Sequence, residues 1–263
     1  MYAGLETNNL PEQQTLTIQQ AIDLGVEHHN AGRLPEAENV YNQILQAEPD
    51  QPVALHLLGV IAHQVGKNDI AVDLISKALA IKPDYAEAHY NLGLTLQELG
   101  KLDEAVASYN KALAIKPDFA EALNNLGNAL KKLGRLEDAA ESHEKALVLK
   151  PDFPEALNNL GSALTDLGDP EGGITRYKQA FALKPDGAFA RSNYLHNLLY
   201  LPDITNADLF DVYREAVLGD DGRGSEALRR VLGLPQADSL SGGSEAAQSD
   251  DGEAVQGSAP RLT

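Results

Sequence analysis

Four asparagines, Asn91, Asn125, Asn159 and Asn193, recur at a constant step of 34 residues. Each side-chain amide offers a donor and an acceptor together, so it can pair bidentately with a peptide backbone whatever that peptide's sequence. A row of them at one pitch suits an extended peptide. Asn124, Asn128 and Asn158 broaden the row. Asparagine is also a poor interior helix residue, because its side chain competes for the backbone's own hydrogen bonds. Two readings therefore stand. The amides contact a peptide, or they bond within their own repeat and to water, with duplication alone explaining the recurrence.

Other reactive residue types do not gather into a site. His56 and His63 are seven apart, beyond the i, i+4 spacing that suits joint metal ligation; His28 and His29 face different sides, and no HExxH occurs. His89 and His143 occupy positions usually held by core aromatics. The GDDGRG stretch lacks the Lys-Ser/Thr of a phosphate loop, SDDGE lacks calcium-loop spacing, and no serine sits in a G-x-S-x-G elbow. With no cysteine there is neither disulfide nor thiolate chemistry. No catalytic residue, metal or cofactor is expected, and the chain reads as no enzyme.

The elements that position the asparagines follow from the same step. Pro49, Pro83, Pro117, Pro151 and Pro185 are 34 apart, each followed by aspartate, and two glycine sets keep the period: Gly25, Gly59, Gly93, Gly127, Gly161 and Gly32, Gly66, Gly100, Gly134, Gly168. A fixed period of this length means one small unit stacked on copies of itself. Units begin at Ile18, Pro52, Ala86, Ala120 and Pro154. In the third, His89, Leu92, Leu96 and Leu99 predict a first helix, A, ended by Gly100; Ala105, Tyr109, Ala112 and Leu113 predict a second, B. Lys116 is expected in the last turn of B, Pro117 stops it, and Asp118 is expected to help start the next helix. Small residues at positions 8, 20 and 27 of the unit face large ones at 7 and 24, which is how two helices approach closely. One A–B pair cannot bury both its faces, so neighbouring units complete the core.

Net charge is −18, about two thirds of it within residues 18–218, which disfavours nucleic acid or an anionic membrane as partner. No apolar run approaches transmembrane length, and MYAGLETNNLPEQQTL has no basic n-region or apolar core of a secretory signal. A cytoplasmic location is expected.

The unit resembles the tetratricopeptide repeat, matching at positions 7, 8, 20, 24, 27 and 32 over residues 18–187, without the family's usual Trp at position 4. The resemblance implies an all-α fold, a right-handed α-solenoid of antiparallel helix pairs with five full repeats and a partial sixth. It also implies a concave groove lined by positions 2, 5, 6, 9, 12 and 13 of the A helices. Repeats that clamp a chaperone's C-terminal carboxylate carry Lys or Arg at positions 2, 5 and 6. Here Glu87, Glu121, Glu155, Tyr90 and the asparagines stand there, which disfavours such a clamp; only Lys131 and Lys132 are basic on this face. The position-2 glutamates either attract a basic peptide or solvate the rim.

The asparagine row is similar to that of O-GlcNAc transferases and Spindly-type relatives, whose groove asparagines hold substrate peptides. Residues 190–210, with Thr205 and Asp208 spaced to cap a last helix, are similar to the connector leading into their catalytic domain. That domain is expected from about residue 218, where a Gly/Ser/Ala-rich acidic stretch stands instead, with a possible short helix over 225–232. A truncated or frame-shifted descendant of such an enzyme would read this way.

The expected organisation is a flexible segment (1–17), five repeats (18–51, 52–85, 86–119, 120–153, 154–187), a partial sixth repeat with a capping helix (188–218) and a disordered tail (219–263). The expected function is a protein-interaction scaffold with Asn91, Asn125, Asn159, Asn193, Asn124, Asn128 and Asn158 as the peptide-binding groove. The substrate-recognition arm of a glycosyltransferase is the alternative. Self-association through an exposed solenoid end is a further expectation.

Overall fold

A computed structural model describes residues 16–184, 188–199, 201 and 204–218. The N-terminal segment before Leu16, the fifth Pro-Asp pair at Pro185 and Asp186, the GDDGRG and SDDGE stretches and the tail with its possible helix lie outside these residues. The described residues form twelve α-helices and no strand. They are α1 (Ile18–Asn30), α2 (Leu34–Ala47), α3 (Pro52–Gln64), α4 (Asn68–Ile81), α5 (Ala86–Glu98), α6 (Leu102–Ile115), α7 (Ala120–Lys132), α8 (Leu136–Leu149), α9 (Pro154–Asp166), α10 (Pro170–Leu183), α11 (Ala188–Leu198) and α12 (Asn206–Leu218). The first ten pair as A and B helices of five repeats, and α2, α4, α6 and α8 each also pack on the A helix that follows.

Two different stops set this alternation. Every A helix of these five repeats ends on a glycine at positive φ, from 73° at Gly32 to 89° at Gly168. At Gly100 the turn is a Schellman motif: Lys101 N–H donates to the Leu96 carbonyl and Gly100 N–H to that of Gln97. B helices end because the residue before proline is driven out of the helical region. Lys116 has φ −129° and ψ 87°, and is the residue that leaves the helix, not a member of its last turn as expected. Asp118 does not start the next helix either. The N-cap of α7 is Phe119, whose side chain has no acceptor to cap with and whose ring is used elsewhere.

That use recurs along the chain. The ammonium of Lys82 lies 4.8 Å from the centre of the Tyr85 ring, Lys116 4.7 Å from Phe119, and Lys150 4.5 Å from Phe153. Lys116, Lys150 and Lys184 also pair with Glu87, Glu121 and Glu155 at 3.6, 3.2 and 3.7 Å. The position-2 glutamates are therefore neutralised by their own repeats, at half-exposed sites where each pair adds little stability.

The core is built by glycine against a large side chain 16 residues on. A Cβ at Gly93 would stand 2.6 Å from Tyr109, and one at Gly127 2.6 Å from His143. Tyr109 and His143 are fully buried. Apolar clusters then run across repeats: Leu96 and Tyr109 of the third pack with Leu126, Leu130 and Ala139 of the fourth. The structure divides into two compact units after Asn197. In the second, Thr205 and Asp208 form the expected reciprocal cap of α12, with Asp208 N–H donating to Thr205 Oγ1 at 3.2 Å and Thr205 N–H to Asp208 Oδ2 at 3.0 Å.

Candidate peptide-binding face

In α5, α7, α9 and α11 position 6 is an asparagine in mid-helix, and its side chain bonds to the preceding A helix. Asn91 Nδ2 donates to His56 Nε2 (2.8 Å), Asn125 Nδ2 to Tyr90 Oη (3.0 Å), Asn159 Nδ2 to Asn124 Oδ1 (3.1 Å) and Asn193 Nδ2 to Asn158 Oδ1 (3.0 Å). All four span 35 residues, not 34. Position 6 of one repeat meets position 5 of the repeat before it. The amides thus bond between repeats, and not within one repeat or to water alone.

The four rungs point the same way and use the same half of each amide. Asn91, Asn125, Asn159 and Asn193 are half-buried. Among the described residues, no hydrogen bond takes the side-chain carbonyl oxygen of Asn91, Asn125 or Asn159. That oxygen and the second N–H remain open to a ligand. Where the rung is missing, both partners are apolar: Ile22 at position 5 of the first repeat is buried, and Leu57 packs on the cluster it belongs to.

The acceptors at position 5 are held from behind. His56 accepts from Asn91 at Nε2, which leaves its proton on Nδ1 to donate to Tyr85 Oη at 2.9 Å. The ring is 3% exposed, and burial pushes its pKa down to about 4, against a smaller opposing pull from Glu87. Tyr90 packs against Phe119 with ring centres 4.7 Å apart and planes tilted by 42°. Its phenol is raised by burial and by Glu121, while the Asn125 hydrogen bond acts the other way. Asn124 differs from the other six asparagines. It is buried, and its Oδ1 accepts from both Asn159 and His143 Nδ1, the latter at 3.1 Å. His143 is lowered to about 4, first by burial and then by the nearby Lys131.

Asn128, Asn158 and Asn159 meet with Gln97, Lys131, Lys132 and Ser162 around an open cavity of about 380 Å³. Lys131 is paired with Asp166 Oδ2 at 2.9 Å and hydrogen-bonds Ser162. Of the other asparagines, Asn91 and Asn125 lie on α5 and α7, which also line this pocket, Asn193 lies on the next A helix, α11, and Asn124 bonds Asn159 of its lining.

A family model described as TPR repeat matches residues 63–100, 96–134 and 127–168, and one described as tetratricopeptide repeat matches 154–186. Residues 63–186 match the tetratricopeptide-repeat pattern. No curated protein matches its sequence. Among solved structures, MamA is similar with a TM-score of 0.57 at 25% identity, over 63% of this chain and 97% of MamA. YrrB, described as a TPR protein with an unusual peptide-binding site, has a TM-score of 0.56 at 20% identity, over 66% of this chain and 90% of YrrB. The TPR protein TTC0263 of Thermus thermophilus has a TM-score of 0.55 at 23% identity, over 70% of this chain and 100% of its own. The last two likenesses show the fold alone. Against the TPR pattern, the residues that sequence reasoning passed over as site members are His56 and Tyr90. Their signal was present: every asparagine at position 6 follows a hydrogen-bonding residue at position 5 one repeat earlier.

Proposed function

We propose that the chain is a non-catalytic scaffold that binds an extended peptide along its A helices. The observation that carries this reading is the ladder: four amides at one pitch, each fixed by one N–H to its neighbour, with Asn91, Asn125 and Asn159 keeping their carbonyl oxygens for a ligand. A fixed amide has already lost its rotamer freedom, so binding a backbone with it costs less ordering entropy. Asn91, Asn125, Asn159 and Asn193 act as backbone contacts, Asn128 and Asn158 assist, and Asn124 orients Asn159. The position-2 glutamates are occupied by lysines, so the acidity of the chain does not by itself select a basic peptide. No described helix is long and apolar enough to cross a membrane.

A selected linear peptide tests the reading. Affinity should fall about tenfold or more for the Asn125→Ala/Asn159→Ala double variant, from the loss of roughly 1 kcal/mol per hydrogen bond. The second reading, a recognition arm serving a glycosyltransferase on another chain, draws on the same ladder running on to Asn193. Transfer from a sugar nucleotide to the bound peptide, on adding the catalytic partner, would favour it.

A further inference from the structure

Lys132 sits in the pocket walled by the third, fourth and fifth A helices without a hydrogen bond or ion pair among the described residues, whereas Lys131, Arg135, Lys145 and Lys150 of the same repeat each have a carboxylate partner. Around it the amides present donors. Asn158 accepts from Asn193 at Oδ1, which leaves both its N–H groups free among the described residues; Asn128 has no side-chain partner among the described residues; Gln97 keeps its NH2, its Oε1 lying 3.5 Å from Tyr109 Oη. The carboxylate of Asp166, beside the pocket, is held by Lys131 at 2.9 Å. With Lys131 offset by Asp166, Lys132 leaves this hollow with one unpaired positive charge among amide groups, in a chain of net charge −18.

Resting on the groove reading above, we infer that this pocket selects an acidic side chain, aspartate or glutamate, of the bound peptide. Charge-assisted hydrogen bonds to a carboxylate are about twice as strong as neutral ones, so the site adds a sequence preference to a ladder that reads only backbone. The occupant is a side chain and not a chain terminus, because the ladder runs on past the pocket. The pocket is walled by α5, α7 and α9, and the ladder spans these helices from Asn91 on α5 to Asn193 on α11, so a peptide on the ladder passes over it. A cavity of about 380 Å³ holds a carboxylate with its stem.

The full chain is panned against random linear peptides displayed with their C-termini fused to a coat protein, which removes the free carboxylate. The best binder is then made as a C-terminal amide, with and without its acidic residue changed to the matching amide. The inference expects acidic residues to be enriched at one position, about tenfold weaker binding without the charge, and loss of that difference in Lys132→Gln. Peptides that bind and respond to Asn125→Ala but show no acidic preference overturn the inference and leave the scaffold reading standing. So does a charge effect that survives Lys132→Gln. Failure of any peptide to enrich, or binding indifferent to the asparagines, removes the scaffold reading and this one with it.

Discussion

Asn125 donates one N–H to Tyr90 and keeps its carbonyl oxygen unengaged, so the two halves of its amide can be tested apart. Tyr90→Phe removes the acceptor and leaves the outward groups. It should cost about 1 kcal/mol in urea unfolding and change peptide affinity less than about threefold. Asn125→Ala should cost similar stability and also weaken the peptide; equal affinity losses in the two variants would make the rung purely structural. His143 gives a second residue-level test. Its folded pKa of about 4 lies below the ordinary value of 6.5, as does that of His56. The unfolded chain therefore takes up the proton first. The stability these rings contribute is complete above about pH 6.5 and is lost as pH falls towards 4. His143→Tyr restores the residue found at Tyr109 and Tyr177, opposite the equivalent glycines. In the fifth repeat Asn158 and Tyr177 already hold the positions of Asn124 and His143, so the pair is compatible with the fold. The variant should lose roughly 2 kcal/mol less than the parent between those pH values in urea titrations; identical acid profiles would contradict the burial argument.

At the scale of the helix pair, two glycines of the same repeat do different work. A Cβ at Gly100 would meet nothing within 4 Å, and only its φ of 74° resists a side chain. Gly100→Ala should cost about 1–2 kcal/mol, the strain of a left-handed alanine. Gly93 is helical, but its added Cβ would meet the buried Tyr109 at 2.6 Å. Gly93→Ala should cost more than Gly100→Ala, because overpacking forces the A and B helices apart. Thermal unfolding of both variants decides it, and the reverse order would mean that the two helices part at little cost. The proline stops work through the lysine ahead of them, which explains why Asp118 is not a cap. The chain leaves the helix at Lys116, and the next A helix begins only after Phe119 has turned its ring under that lysine.

Across the whole molecule, much of the architecture was legible because it rests on backbone rules. Glycine at positive φ, the residue before proline and small-against-large spacing each leave a mark at a fixed position, and a 34-residue period repeats it. The site was legible only in part. Position 6 announced itself by its asparagines, but their donors reach across a 35-residue step that a 34-residue alignment hides. His56, Tyr90, Asn124 and Asn158 share the ability to accept a hydrogen bond, not a residue type, so they look unrelated when stacked in register. The lysines that pair with the position-2 glutamates are hidden for a similar reason, since they sit 29 residues downstream at the far end of each repeat. Whether the ladder holds a peptide backbone is decided by titrating a selected, C-terminally amidated peptide into the parent chain and into Asn125→Ala/Asn159→Ala, with helicity followed by circular dichroism. Affinity at least about tenfold weaker in the variant, with helicity retained, is the expected result; unchanged affinity in a folded variant would contradict it.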